Sequence, residues 1–292
     1  MLIQDFLHQI IGKQVDTKTK NWIDQKIQLL TQHFTVNAFY TIFASVSRFV
    51  GKERLQVSAE DSTQAFQLRK GLTLEDWTVD RASRVMFLLY LPSDSASHHL
   101  KILDTLFQTA EVNELVALYS ALPLLPFPEQ YVERCAEGIR TNMSVVFEAV
   151  ALNNPFPAEY LNENAWNQLF LKSIFTGRKV IKIQGISERA NATLAQICSD
   201  YAHERWAAGR KISPELWIPV CKFVNDDLLK DLKRLAESGD TLEQEAFALV
   251  CLASNNTQAK ELLEKYPALR QQAEDGLFSW ESISVKWHEI NS

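Results

Sequence analysis

The sequence predicts an all-α protein: an irregular stack of helical hairpins, α-solenoid-like or gathered into a large bundle, with no substantial sheet. Three observations carry that prediction. Glycine and proline number nine each among 292 residues, against roughly twenty and roughly fifteen at average usage, so turn-formers rarely interrupt the chain. Apolar residues recur at i, i+3, i+4 and i+7 almost from end to end, which is the period of one helix face. Strand-like alternation is confined to one short stretch, KVIKI at 179–183.

In chain order, the first eleven residues, MLIQDFLHQII, form an amphipathic helix: Gln4, Asp5 and His8 interrupt the apolar residues and no basic segment precedes them, unlike a signal peptide. Trp22, Ile23, Ile27 and Leu30 mark a second helix, and Phe39, Ile42, Phe43, Val46 and Phe49 a third. Ser58, ahead of Glu60 and Asp61, is a capping residue before an acidic first turn. Helical spacing returns at Val85, Leu88 and Leu89, at Leu100, Leu103, Leu106 and Phe107, and at Val112, Leu115, Val116 and Tyr119. Pro123, Pro126 and Pro128 then forbid a continuous helix, and their apolar surroundings make the segment a packed corner. Beyond it, one helix begins near Pro128 and another near Ala190. Ser213 with Pro214, and Asp240 with Glu243, start two more. Leu228, Leu229, Leu232 and Leu235, then Phe247, Val250 and Cys251, complete the pattern. The expected organisation is an N-terminal helical region (1–120), a core (121–217) and a C-terminal helical region (218–292), packed as a single domain.

Composition excludes several functions. Thirty basic against 36 acidic residues give a net charge of −6, which disfavours nucleic acid and anionic membrane surfaces as partners. The longest apolar stretch, Leu115 to Phe127, contains Pro123 and Pro126, so no transmembrane segment is expected. Neither G-x-G-x-x-G nor G-x-x-x-x-G-K-[ST] occurs, and no cofactor is expected. Cys135, Cys198, Cys221 and Cys251 lie far apart in apolar helical patterns with no C-x-x-C pair, which reads as buried free thiols in a cytoplasmic protein.

Polar chemistry concentrates in two places. Glu133, Glu137 and Arg140 share one helical stripe, which Ser144 and Glu148 would continue if the helix ran through Asn142. That stripe is either a solvated face or the lining of a ligand cavity. Asn153, Asn154 and Pro155 stop the helix, and Asn162, Asn164 and Asn167 follow around Trp166. The second focus, SDYAHERWAAGR at 199–210, aligns His203, Trp206 and Arg210, with Asp200 and Glu204 an i, i+4 pair beside them. Asp200 and His203 offer two metal ligands on adjacent turns, but alanine at 207 denies the helix a third, so no metal site is predicted. An interhelical network joining Asp200 or Glu204 to Arg134, Arg140 or Arg189 is the alternative. His98 and His99 read as a solvated helix start, and Arg178, Lys179 and Lys182 as an exposed basic turn.

Several strings between residues 121 and 217 carry a family resemblance: LPLLPFPEQYVER (122–134), AEGIRTNM (136–143), VFEAVALNNP (146–155), AWNQ (165–168) and DYAHERWAAGR (200–210). The segment resembles the EboA family of metabolite-traffic factors. The resemblance implies a role beside enzymes of the same gene cluster, which resemble prenyltransferases, sugar-phosphate cyclases, isomerases and hydrolases, in delivering a secondary metabolite such as the scytonemin precursor to the cell envelope. It supplies no catalytic residues. The expectation is an accessory protein that binds a small polar metabolite or scaffolds those enzymes. Arg134, Arg140, Arg205 and Arg210 would donate, Glu133, Glu137, Asp200 and Glu204 would orient them, Trp166 and Trp206 would offer apolar faces, and Asn153, Asn167 and His203 complete the set. Two alternatives stand beside it: a metal-assisted or acid–base enzyme acting through His203 on a cyclitol- or sugar-like intermediate, and a pure interaction scaffold.

Overall fold

Helices and their connections make up the computed structural model, which describes Met1–Asn291. No strand forms among the described residues; the one β-bridge pairs Arg54 with Thr78. The chain divides into two units, Met1–Leu161 and the residues from Asn162 onward.

The first unit holds α1 (Ile3–Gly12), α2 (Thr17–Gln32), α3 (Val36–Phe49), α4 (Ala59–Leu68), α5 (Val79–Leu88), α6 (Ala96–Thr109), α7 (Val112–Ala121), α8 (Val132–Arg140), α9 (Ser144–Ala151) and α10 (Phe156–Tyr160). Its centre is α5, which packs against α1, α3 and α7 and buries nearly every side chain it carries. A helix covered on all sides must satisfy any charge within it. Arg84 does so through Asp80 Oδ2 at 2.7 Å and the Phe43 carbonyl at 3.3 Å, with Glu111 and Glu114 at 3.7 and 4.0 Å. Ser58 caps α4 as expected, accepting from the Asp61 amide at 3.0 Å.

The proline corner is packed, as its apolar residues predict. Two 3-10 turns, Leu122–Leu124 and Pro128–Tyr131, meet at Phe127, whose φ of 62° lies in the left-handed region, and Leu122, Leu125 and Tyr131 are buried. Past the corner, α8 stops at Arg140 and α9 restarts at Ser144, so the polar stripe of α8 does not continue through Asn142. His99 also departs from the sequence reading. It is 1% exposed, with Nδ1 bonded to the Pro92 carbonyl at 2.8 Å and its ring edge-on to Phe127.

The second unit holds α11 (Glu163–Phe175), α12 (Ile186–Arg189), α13 (Ala192–Ala207), α14 (Asp226–Ala236), α15 (Thr241–Ala253), α16 (Thr257–Glu264), α17 (Pro267–Glu274) and α18 (Trp280–Ile290). Its centre is α15, capped by Asp240 as predicted and packed against α14, α16, α17, α18 and the 3-10 helix Pro214–Val220. Ser213 starts that 3-10 helix without capping it, and Pro219 inside it cannot donate to an α-helical ladder. KVIKI is likewise not a strand: Val180–Lys182 is a 3-10 turn with Val180 and Ile183 buried. The Ile181 amide donates to Glu215 at 3.0 Å, and this fully buried carboxylate also accepts from His288 Nε2 at 3.0 Å. None of the described helices is long and apolar enough to cross a membrane.

Candidate functional site

Where α13 passes α14, an open cleft of about 680 Å³ is lined by His203, Trp206, Lys230, Asp231, Arg234 and Glu243, among others. Its floor is built from buried groups. Asp231 is 3% exposed because it replaces an apolar residue in the line Leu228, Leu232 and Leu235 that α14 buries. One of its oxygens accepts from the Ser199 hydroxyl at 2.6 Å and the other from His203 Nε2 at 2.6 Å. An ionised carboxylate only accepts, so His203 donates through Nε2, and its Nδ1 has no hydrogen-bond partner among the described residues. Ser199 gives its proton to Asp231 rather than to the imidazole, which removes it as a histidine-activated nucleophile.

A second chain of contacts starts from Trp217, which is 1% exposed. Trp206 stacks on it at 6.0 Å between ring centroids, His203 lies 5.7 Å from Trp206, and the Arg234 guanidinium sits 4.4 Å over the Trp206 ring. Two solvent-facing polar groups are therefore held on a rigid aromatic base, one by a carboxylate and one by a cation–π contact. Nearby charges are paired: Lys230 with Asp227 at 2.7 Å and Lys233 with Glu237 at 3.8 Å. The Lys230 ammonium, with its hydrogen bond first and its charge second, holds the Asp227 carboxyl below its ordinary value.

The remaining residues singled out in the sequence fall elsewhere. Glu133, Glu137 and Arg140 are exposed on α8. Arg134 pairs with Glu137 at 2.6 Å and Asp104 at 3.1 Å while lying over Phe107. Asn153 adopts φ 54° and donates to Asp76 at 3.1 Å, a turn role. Trp166 is fully buried under Arg189, and Asn167 exchanges amide hydrogen bonds of 3.3 and 2.9 Å with Asn191, the cap of α13. Asp200 accepts from Gln196 at 2.8 Å on its own helix, and Arg205 donates to the Lys211 carbonyl. Glu204 and Arg210 are exposed. Of the thirteen residues, only His203 and Trp206 line the cleft.

Among the described residues no three His, Cys, Asp or Glu side chains converge as a metal ion requires. The thiols are poor nucleophiles because burial opposes their ionisation, pushing Cys221 up to about 11 and Cys135 and Cys251 to about 12, with Cys198 also raised.

A family profile described as metabolite traffic protein EboA matches residues 3–221. The chain belongs to the EboA family. The match is wider than the strings at 121–217 that carry the resemblance, taking in residues 3–120 as well. Neither a curated protein nor a solved structure matches the chain. Within the EboA match lie α8, Trp166 and the α13 half of the cleft, whereas Asp231, Arg234 and Glu243 come from beyond it. Those three were missed in the sequence. Asp231 had a legible signal, an acid at helical spacing inside the leucine line of α14, where a charge needs a partner. Arg234 had none, since an arginine on an exposed helix face is ordinary.

Proposed function

We propose that this EboA-family chain is an accessory protein of metabolite traffic that binds a small polar metabolite in the α13–α14 cleft. One observation carries the reading: an exposed imidazole is held from beneath by a carboxylate only 3% exposed, beside a guanidinium that has no carboxylate partner among the described residues. A solvated face does not need a buried acid to orient it, whereas a ligand site gains from groups fixed before the ligand arrives. The four free cysteines support a reducing compartment.

Native mass spectrometry of the full chain, purified from the cells that make it, tests the reading. The wild-type protein should carry a non-covalent small-molecule mass. Asp231→Asn and Trp206→Ala should reduce it, and Arg140→Ala on the solvated α8 face should not. A wild-type spectrum showing only bare chain overturns the proposal, as does equal retention in all variants.

The scaffolding reading would take Phe175, Leu277 and Ile290, which are 72%, 69% and 67% exposed, as contacts for partner enzymes. Co-purification of pathway enzymes that is lost on Phe175→Ser yet unchanged by Asp231→Asn would favour it.

A further inference from the structure

Sorting the cleft's polar groups by whether they already have partners identifies the chemistry that is missing. Lys230 is paired with Asp227, Lys233 with Glu237, and Asp231 with both Ser199 and His203. Three groups have no such partner among the described residues. The Arg234 guanidinium, with five N–H donors, lies over the face of Trp206 and has no hydrogen bond or ion pair among the described residues. His203 Nδ1 is a second ring nitrogen left over once Nε2 donates to Asp231. Glu243, reaching in from α15, is a carboxylate and so acceptor-only. The cleft thus lacks an anion for Arg234, a donor for Glu243 and a partner for His203 Nδ1, which a hydroxyl supplies whether that nitrogen accepts or donates.

We infer that the ligand is a small anionic polyol: a hydroxylated molecule with one carboxylate or phosphate head, the head on Arg234 and a hydroxyl hydrogen-bonded to His203 Nδ1. This rests on the cleft being the binding site and adds the ligand's chemical class. A neutral polyol leaves the guanidinium without an anion, and one with two or more anionic heads brings its further heads against Glu237, Glu243 and Asp231 in the wall. Planar donor geometry makes arginine the residue suited to either head, because both accept two parallel N–H bonds. The Trp217–Trp206 stack beneath Arg234 fixes the fork in advance, reducing the ordering cost of binding.

The test uses the full chain with isotope-labelled histidine, following the His203 ring resonance assigned by its loss in His203→Gln. The probes are gluconate, inositol 1-phosphate and neutral myo-inositol. Either anionic probe should shift the resonance saturably, with affinity falling about tenfold or more in Arg234→Gln and less in Arg234→Lys, which keeps the charge and loses the fork. Gluconate alone identifies a carboxylate head, inositol 1-phosphate alone a phosphate, and both a site tolerant of either. If myo-inositol binds as tightly as the anions, or Arg234→Gln leaves affinity unchanged, the anionic class is overturned while the cleft survives as a binding site. If no probe shifts His203, the inference is overturned, and the mass-spectrometric experiment above judges the cleft separately.

Discussion

Helices α8 and α13 present the same pattern of polar residues one and two turns apart, yet their environments differ. On α8, Cys135, Ala136, Gly138 and Ile139 turn inward, and Glu133, Glu137 and Arg140 are exposed, Glu137 pairing with Arg134 of the same helix. On α13, the stripe that starts at Ser199 runs beside α14, where Asp231 holds the Ser199 hydroxyl and the His203 ring at 2.6 Å each. Helical spacing groups side chains on a face, but a site needs a second element that brings a buried partner to that face. The α8 stripe lacks one, apart from Arg134, which folds back over Phe107.

Substitutions can sharpen or break this contrast. The largest effect is expected at the base of the cleft, where Trp217→Ala should cost about 3–5 kcal/mol in denaturant unfolding by leaving a cavity beneath Trp206. A loss below about 1 kcal/mol would mean that the aromatic stack is not a rigid foundation. Asp231→Ala should follow at about 1–3 kcal/mol, since the buried Ser199 hydroxyl loses its acceptor; the His203 ring resonance should also sharpen toward that of a free imidazole.

On α8 the sensitive position is on the inner face. A methyl group added at Gly138 would sit 2.6 Å from both a Tyr119 ring carbon and a Val150 methyl, so Gly138→Ala should destabilise by about 1–3 kcal/mol through overpacking. Arg134→Ala should cost about 1 kcal/mol, because its side chain is 25% exposed and its ion pairs are partly screened. Smallest of all, Arg140→Ala and Glu133→Ala should leave the unfolding midpoint within about 0.5 kcal/mol of wild type. Should Arg140→Ala instead match Asp231→Ala, the distinction between a solvated stripe and an anchored one would collapse.

The sites that sequence reasoning found and missed follow the same logic. His203 and Trp206 stood out because their helix is dense in ionisable and aromatic groups, but Asp200, the neighbour paired with His203 by spacing, instead accepts from Gln196. The real partner lies 28 positions along the chain. Asn167 and Trp166 were drawn into the site by residue type, yet one braces the cap of α13 and the other fills the core. A buried amide and a ligand-binding amide are the same residue to the sequence.

What the sequence by itself determined is everything set within a few turns of chain: the helical class, the caps at Ser58 and Asp240, the packed proline corner and the apolar setting of the cysteines. These depend on period, propensity and local hydrogen bonding, which neighbouring residues fix among themselves. Tertiary structure alone decided which polar residues meet: Asp231 with His203, Glu215 with His288 across 73 positions, and Arg84 with the acids around it. Periodicity states which side of a helix a residue occupies. What stands opposite depends on how the helices pack, and there the burial of Asp231 turned one polar stripe into a cleft while its absence left the other in water.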